Sequence, residues 1–319
     1  MINGDLLFAF EKYLTNIERM KPASIRRYLG VIMEFRDYQA ENAQDRHLRS
    51  IREPDLNTYL ARCRRRGNGN QRQRFKVSAL QTFFRFLLQA GFIENDPSSD
   101  IKRPEVCNDI VHFFYREEIL CMFETIDISS KKGLRDAAFL TLGAFAGLRV
   151  AEIGGLNVDQ ISDDGECVAL RIVKSSNGNR SVDLWPAPSG ILRELLRVRL
   201  RDGAKKGDPL LVSAWKNGVT RGNRMNGKTL DKLLKAIAYR AGIEKVIIST
   251  HMLRAAHVRD LQLCGFDVAA IMKRLGWVRM DSIERYFYLA GETSQKYASL
   301  SEYWNDFPKL WIKYPGASL

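Results

Sequence analysis

Apolar side chains recur at three- and four-residue intervals over the first third of the chain, which is the spacing of one face of a helix. Leu6 and Phe10 begin this pattern, a second run starts behind Ser24, and a third begins near Asp55. Serine is a favoured N-cap residue, which supports a helix start at position 24. The pattern predicts a bundle of roughly four or five helices over residues 5 to about 103.

A polar segment interrupted by prolines follows this helical part and runs from Asn95 to Glu105. Stretches of this kind are typical of linkers between domains. We therefore expect two domains, a helical one over residues 1–103 and a larger one over residues 104–319. The boundary is placed near positions 98 to 110.

The larger domain combines helical patterns with one strand pattern. Residues 167–173 and 181–185 are rich in β-branched and apolar side chains and flank a polar turn, which predicts an antiparallel hairpin. The helical patterns cover residues 115–126, 134–146, 186–200, 229–241, 250–264, 267–275 and 281–289. The predicted fold class is mainly α with a small antiparallel β-sheet.

The charge of the chain narrows the choice of partner. Its 319 residues include 50 Lys and Arg against 37 Asp and Glu, which gives a formal net charge of +13 and a pI near 9.6. This balance favours a polyanionic partner through attraction and counterion release, so nucleic acid is the leading class. A ribosomal or membrane-surface protein has a similar balance, and charge alone does not separate these alternatives.

The cysteines and the apolar runs bear on the compartment. Five scattered cysteines show no metal-binding spacing, as expected of reduced thiols inside a cell. An acid and a lysine interrupt the first apolar run, and no apolar run is long enough to cross a bilayer. We expect a cytoplasmic protein without a membrane partner.

Seven basic residues and no acidic residue lie between positions 62 and 76. They are Arg62, Arg64, Arg65, Arg66, Arg72, Arg74 and Lys76. A solvated loop is one interpretation of this run. We favour contact with a DNA backbone, because several arginines beside a flexible Gly and Asn turn suit phosphate docking.

Two pairs of side chains could serve a reaction on an anion. Arg149 and Glu152 are three residues apart, a spacing at which a helix places the acid beside the guanidinium. His251 and Arg254 have the same spacing at a predicted helix start, where Ser249 or Thr250 is the candidate cap and the helix dipole favours an anion. Each pair alone is also typical of an ordinary structural contact.

Two aromatic residues follow later in the chain, Trp277 and Tyr286, and core packing is the usual role of such side chains. Their order along the chain changes this interpretation. Arg-x-x-Glu, a lysine at position 174 in the predicted hairpin, His-x-x-Arg, Leu-Gly-Trp and a tyrosine nine positions beyond the tryptophan follow one another. This combination resembles the tyrosine recombinase (phage integrase) family over nearly the whole chain.

The resemblance implies an N-terminal helical core-binding (SAM-like) domain and a C-terminal mixed α/β catalytic domain. It implies the catalytic residues Arg149, Glu152, Lys174, His251, Arg254, Trp277 and Tyr286. The implied function is site-specific DNA recombination through a 3′-phosphotyrosyl intermediate. The implied partners are double-stranded DNA with an inverted-repeat site, three further copies of the chain in a homotetramer on two such sites, and accessory DNA-bending proteins at the nucleoid.

The implied residues can perform this chemistry without a cofactor. A tyrosine hydroxyl has a pKa of about 10, so its attack on phosphorus needs proton removal and charge stabilisation. Two arginines would stabilise the non-bridging oxygens, a histidine would accept the phenolic proton, and a lysine would protonate the leaving oxygen. The sequence shows no Walker loop and no His-Glu-x-x-His, and we expect neither metal ion nor ATP.

The chain departs from the family pattern at three places. Trp277 stands where most members have histidine, and Ala255 stands where a second histidine often follows the arginine. The turn after Lys174 is one residue longer than usual.

Several assignments therefore have alternatives. Lys216 and Lys228 are alternatives to the hairpin lysine, and Tyr288 is the alternative nucleophile. His257 is expected to be a packed or surface residue.

Two other functions stay open at this point. A related enzyme could relax DNA by the same chemistry, as a type IB topoisomerase does, and a non-catalytic protein could use the fold for DNA binding alone. The tail over residues 301–319 also has two interpretations. Its aromatic side chains either close the core of their own domain or, as we prefer, dock on a neighbouring protomer.

Overall fold

The computed structural model of this chain describes residues 2–41, 47–105, 111–175, 178–213, 222–284, 286, 297–305 and 307, without the side chains of residues 174, 175, 281 and 282. The chain divides into two units, Met1–Asp109 and Ile110–Leu319.

The first unit is built from helices. Its α-helices are α1 (Gly4–Asn16), α2 (Pro22–Glu41), α3 (Glu53–Arg65) and α4 (Asn70–Gln89). Their apolar faces meet in a core around Phe10, Phe35 and Phe83, where the rings of Phe10 and Phe83 meet edge to face with centroids 5.0 Å apart. The predicted helical bundle is confirmed.

The second unit combines helices with a small sheet. Its first helices are α5 (Arg116–Glu124), α6 (Lys131–Ala144), α7 (Val150–Gly155) and α8 (Pro186–Arg201). They are followed by α9 (Gly227–Arg240), α10 (His251–Leu263), α11 (Val268–Leu275), α12 (Asp281–Glu284) and α13 (Leu300–Tyr303). The strands β1 (Ile161–Asp163), β2 (Val168–Ser175) and β3 (Gly178–Leu184) form one antiparallel sheet in the order β1-β2-β3.

The sheet contains the predicted hairpin and one strand that the sequence did not reveal. Strand β1 has three residues, all exposed or half-buried, so it carries no alternating apolar pattern. The pairing of β2 with β3 is regular up to Ile172, opposite Arg180, and shifts before Ser175, opposite Gly178. One extra residue on β2 produces this shift, as in a β-bulge.

Helix α6 lies at the centre of the second unit. Every residue from Gly133 to Ala144 is buried, as is typical of a helix with neighbours on all sides. Helices α8 and α10 pack against it. Because α6 leads directly into the segment before α7, this packing fixes the place where Arg149 begins the next helix.

The predicted helix over residues 281–289 is described only as α12, since residue 285 and residues 287–289 lie outside the described residues. Within the described ranges, every helix is too short or too polar to span a lipid bilayer.

Candidate active site

Arg149 is held at the start of α7 by the acid that the sequence paired with it. The Glu152 side chain turns back along the helix, and its Oε2 accepts a hydrogen bond from the backbone N–H of Arg149 at 2.8 Å. Its Oε1 accepts from Nη1 of the same arginine at 3.2 Å. The arginine side chain keeps 33% of its surface exposed. Arg149 is therefore oriented and still accessible to a ligand.

Arg254, near the start of α10, is almost completely buried. Its Nη1 donates to the carbonyl of Gly147 at 2.6 Å, and its Nη2 donates to the carbonyl of Leu275 at 2.7 Å. Its Nε has no hydrogen-bond partner among the described residues, although only 1% of the residue is exposed. A buried donor without a partner is costly, and an anion would relieve this cost.

The charge state of Arg254 leads to the same conclusion. Burial, followed by repulsion from Arg149, lowers the pKa of Arg254 to about 9. Burial thus disfavours the cationic form of Arg254, and a bound phosphate would stabilise it. The indole of Trp277 covers the guanidinium, with the ring centroid 5.0 Å from Cζ, which adds a cation–π contact.

Tyr286 lies beside the predicted base. Its hydroxyl is 2.8 Å from Nε2 of His251, and its ring is 5.0 Å from that of Trp277. Tyr286 is only 2% exposed, and Gln262 donates to its backbone carbonyl at 3.1 Å. His251 is exposed, so a proton taken from the phenol could pass on to solvent.

A continuous series of contacts thus joins residues from four separate stretches of sequence. They are Arg149, Glu152, His251, Arg254, Trp277 and Tyr286. One local prediction differs from the structure, because Thr250 stands at the N-cap position of α10 but its side chain makes no capping hydrogen bond. Its backbone N–H instead donates to Oδ1 of Asp231 at 3.1 Å.

The lysine assignment stays a prediction. Lys174 lies on β2 within the register shift between Ile172 and Ser175, and bulges of this kind re-aim side chains beside active sites. Its side chain lies outside the described residues. Of the alternatives, Lys228 is exposed near the start of α9, whereas Lys216 lies outside the described residues, as does the rival nucleophile Tyr288.

Arg180 belongs to this cluster, and the sequence analysis missed it. Its Nη1 and Nη2 donate to both carboxylate oxygens of Glu152 at 2.8 and 2.9 Å. Burial opposes ionisation of Glu152, but the hydrogen bonds from Arg180 and from the backbone of Arg149 outweigh it, and the pKa of Glu152 is lowered. One signal was available: Arg180 shares a strand face with the buried Val182 and Leu184, so period two directs its side chain inward.

His257 is a packed residue, as expected. It is buried, and its Nε2 accepts a hydrogen bond from Nε of Arg274 at 3.1 Å. Burial, followed by the charge of Arg274, lowers the pKa of His257 well below its ordinary value. The neutral imidazole therefore serves as a hydrogen-bond acceptor inside the unit.

The aromatic residues of the tail occupy the core of their own unit. Trp304 and Phe307 are buried against Phe145, with ring centroids 4.9 and 4.7 Å away. Arg116 binds this segment by donating to the carbonyl of Tyr303 at 2.9 Å. Our preference for docking on a neighbouring protomer is therefore wrong for these aromatics, because their apolar surface is already covered. Residues 308–319 lie outside the described residues.

The basic run of the first unit spans the end of α3 and the start of α4. Arg66 and Arg72 line a groove of about 880 Å³ together with Arg27. Arg62 forms an ion pair with Glu41.

Lys76 differs from the other members of the run, because it is buried and its ammonium bonds Glu34 at 2.5 Å. Its predicted contact with a DNA backbone does not fit this interior position. Arg64, Arg65 and Arg74 are exposed.

Two family models match the chain in the same arrangement as the two units. The model of the phage integrase family matches residues 112–292, and that of the phage integrase N-terminal SAM-like domain matches residues 7–91. Since the first match alone covers more than half of the chain, the chain belongs to the phage integrase family. It is a tyrosine recombinase, an enzyme of site-specific DNA recombination.

Relatives and solved structures agree with this assignment. Tyrosine recombinase XerC of Lacticaseibacillus casei (strain BL23) is 24% identical over 88% of this chain and 93% of its own length. Tyrosine recombinase XerD of Listeria innocua serovar 6a (strain ATCC BAA-680 / CLIP 11262) is 23% identical over 90% and 94%.

Two structures share the fold. One is the XerH site-specific recombinase bound to a palindromic difH substrate in a post-cleavage complex, with a TM-score of 0.70, 20% identity and coverage of 90% of this chain and 82% of that chain. The other is a dimer of lambda integrase (75–356) bound to a COC′ core site, with a TM-score of 0.70, 15% identity and coverage of 92% and 97%.

Among the residues that the structure describes, no group of three or more His, Cys, Asp or Glu side chains is arranged to hold a metal ion.

Proposed function

We propose that this enzyme cleaves and rejoins DNA through a 3′-phosphotyrosyl bond to Tyr286, without a metal ion or ATP. The observation that carries the proposal is the 2.8 Å contact of the Tyr286 hydroxyl with Nε2 of His251. This pair of side chains lies beside Arg254, a buried cation whose Nε has no hydrogen-bond partner among the described residues. A nucleophile, a base and an unsatisfied cation thus share one small volume.

The proposed reaction has the following bond changes. The Tyr286 oxygen attacks the scissile phosphorus while His251 accepts its proton, and the bond from phosphorus to the 5′ oxygen breaks. Lys174 gives a proton to that oxygen, leaving a 5′ hydroxyl. The phosphotyrosyl ester retains the energy of the broken bond, so the 5′ hydroxyl of another strand can attack it and restore a DNA strand.

Cationic side chains supply the charge stabilisation in this proposal. Arg149 offers an oriented guanidinium, Arg254 offers its Nε, and Trp277 donates one indole hydrogen bond to a non-bridging oxygen. Indole cannot carry a proton at neutral pH, so the proton transfers fall to His251 and Lys174. These groups would take the electrostatic role that metal ions have in metal-dependent nucleases.

The proposed partner is double-stranded DNA with an inverted-repeat site, held by four copies of the chain on two such sites. One of the fold neighbours is a lambda integrase tetramer bound to a Holliday junction, which supports this assembly by analogy. Residues 1–103 would bind DNA as the core-binding domain and residues 104–319 would contain the catalytic site. Arg62, Arg64, Arg65, Arg66, Arg72 and Arg74 are the proposed backbone contacts. Accessory DNA-bending proteins would assist at the bacterial nucleoid, in the cytoplasm.

Trapping the covalent intermediate tests this function. End-labelled duplexes carrying the DNA that flanks the gene, each with a nick at a different position, are incubated with the full chain in EDTA and without nucleotide. When cleavage occurs beside a nick, the short 5′-hydroxyl fragment diffuses away and the protein stays attached to labelled DNA. We expect a covalent band with the wild type and with Tyr288→Phe, and none with Tyr286→Phe.

The same assay has outcomes that contradict the proposal. A covalent band with Tyr286→Phe and none with Tyr288→Phe would assign the nucleophile to the other tyrosine. A band that requires added Mg²⁺ would refute metal independence. In a separate assay on a supercoiled plasmid that carries two sites, relaxation without recombination would favour the topoisomerase alternative.

A further inference from the structure

Three arginines surround the single carboxylate of Glu152, and one of them has no place in the proposed reaction. Arg180 and Glu152 are each only 9% exposed, whereas Arg149 is 33% exposed. We infer that Arg180 is a positioning residue, which binds the Glu152 carboxylate so that Arg149 and Arg254 keep their positive charge available to the scissile phosphate. This inference rests on the proposed function.

The distances rank the three arginines around Glu152. Arg180 holds both oxygens, at 2.8 and 2.9 Å, in the parallel two-bond geometry that is strongest for a guanidinium and a carboxylate. The Arg149 side chain reaches one oxygen at 3.2 Å, and Arg254 stays 3.8 Å from the other. Arg180 is therefore the main counterion of Glu152, and the two outer arginines are held more loosely.

Removal of Arg180 would redistribute this charge. A buried carboxylate that loses its main partner recruits the nearest cations, because an unpaired buried charge is costly. The nearest cations are Arg149 and Arg254. Each would be drawn toward Glu152, and one positive charge of the pair would be cancelled just where negative charge develops on the phosphate.

Arg180 is itself fixed from a second side. Its Nε donates to the backbone carbonyl of Arg274 at 3.0 Å, at the end of α11. The side chain of Arg274 in turn donates to His257 at 3.1 Å and to the carbonyl of Asp183 on β3 at 2.9 Å. A guanidinium with its Nε and both Nη atoms engaged has little freedom to turn toward DNA. This supports a role through Glu152 rather than through direct contact with substrate.

A charge-sensitive substrate pair tests the inference. Cleavage is followed in single turnover on the suicide duplex identified above, once with its natural scissile phosphodiester and once with a methylphosphonate there. A methyl group replaces one charged oxygen in the second duplex, so its transition state depends less on the arginine pair. We expect Arg180→Met to slow covalent capture of the phosphodiester roughly 10²-fold and that of the methylphosphonate much less.

The variant Glu152→Gln provides a second test of the inference. Without the carboxylate charge there is nothing for Arg180 to neutralise, so Arg180→Met should have little further effect on the phosphodiester rate in the Glu152→Gln background. Arg180→Lys keeps the charge but offers a single nitrogen, and we expect an intermediate loss with the same dependence on substrate charge. This variant keeps the test decisive if Arg180→Met does not fold.

Arg193 provides a matched control in the same unit. It also binds both oxygens of one carboxylate, that of Asp163, through Nε at 2.7 Å and Nη2 at 2.8 Å, and it lies outside the site. Arg193→Met should leave both rates unchanged. Equal slowing of both duplexes by the folded Arg180 variants, or an undiminished effect in the Glu152→Gln background, would overturn the inference. If the wild type captures neither duplex, the proposed function fails instead.

Discussion

At the scale of single residues, the candidate site depends on backbone carbonyls as well as on the proposed catalytic side chains. Gly147 has φ of +60°, a left-handed conformation that glycine adopts without strain, and this conformation turns its carbonyl toward Arg254. A Cβ at this position would lie 2.5 Å from Cδ2 of His257 and 2.7 Å from Cδ2 of Leu275. Position 147 therefore requires glycine both because its backbone conformation is left-handed and because a Cβ has no space there.

Gly147→Ala should destabilise the second unit by about 2 to 4 kcal/mol and abolish covalent capture, since it combines left-handed strain with overpacking. Urea unfolding and the suicide-duplex assay measure the two effects. Gly155→Ala is the matched control, because a Cβ there meets nothing within 4 Å and its φ is not positive. Similar behaviour of the two variants would contradict this account of Gly147.

The sequence alone identified most of the residues that meet in the site, although it could not show their contacts. The spacing of Arg149 and Glu152 is local, and the helix fixes their contact whatever the rest of the chain does. Arg180 lies 28 positions beyond Glu152, and only the fold brings the two together. Its charge on an otherwise apolar strand face was the sole local indication.

At the scale of elements, α13 and the Trp304 that follows it pack on α10 through a buried carboxyl group. Nε1 of Trp304 donates to Oδ2 of Asp260 at 3.2 Å, and both residues are buried. Burial raises the pKa of Asp260 to about 8. The carboxyl is thus largely protonated at neutral pH, because burial outweighs the opposing effects of Arg259 and of the hydrogen bond from Trp304.

The stability of this contact should depend on pH. The folded state retains a proton on Asp260 that the unfolded chain loses near the ordinary aspartate pKa of 3.8. The free energy of unfolding should therefore fall as pH rises from about 4 to about 8, with a slope of up to about 1.4 kcal/mol per pH unit from this group. Asp260→Asn cannot ionise and still offers an oxygen to Trp304, so it should remove that slope.

Urea unfolding of the two proteins at pH 5, 6, 7 and 8 measures this difference. The control is Asp163→Asn, since hydrogen bonding to Arg193 lowers the pKa of Asp163 and its titration falls below this range. An Asp260→Asn variant with the same pH dependence as the wild type would rule out Asp260 as its source.

Elements differed in how well the sequence predicted them. Helices with a continuous apolar face, such as α6 and α10, were found close to their observed bounds, because helical periodicity is set by neighbours along the chain. Strand β1 was missed, since three residues cannot display a pattern. The packing of Trp304 and Phe307 was also misjudged, because an apolar face does not reveal which surface will cover it.

At the scale of the whole molecule, the basic residues that give the net charge of +13 lie in different surroundings. Some basic residues are neutralised inside the units, as Lys76 is by Glu34. Others line an open groove of the first unit, where Arg66 and Arg72 lie near the start of α4. That helix has no acidic residue in its first turn, so its dipole adds to the positive potential there.

The salt dependence of DNA affinity should show whether these groove arginines contact phosphates. If Arg66 and Arg72 each neutralise one phosphate, replacing both with Gln should reduce the slope of log K against log salt by about 2 in magnitude. Fluorescence anisotropy with the full chain, over a range of NaCl concentrations, measures the slope. Arg36→Gln is the control, since Arg36 is exposed, forms an ion pair with Asp37 and does not line the groove. An unchanged slope in the double variant would exclude these two arginines as phosphate contacts.

The sequence by itself determined the helices, the hairpin, the two-part organisation and the order of the catalytic motifs, because these depend on residues that are close along the chain. Only the tertiary structure decided that Arg254 donates to a carbonyl 107 positions away, that Arg180 binds Glu152, and that Trp304 belongs to the core of its own unit. The physical reason is that buried charges and apolar surfaces accept any partner of suitable chemistry within reach. The packing of the helices around α6 determines which partners are within reach.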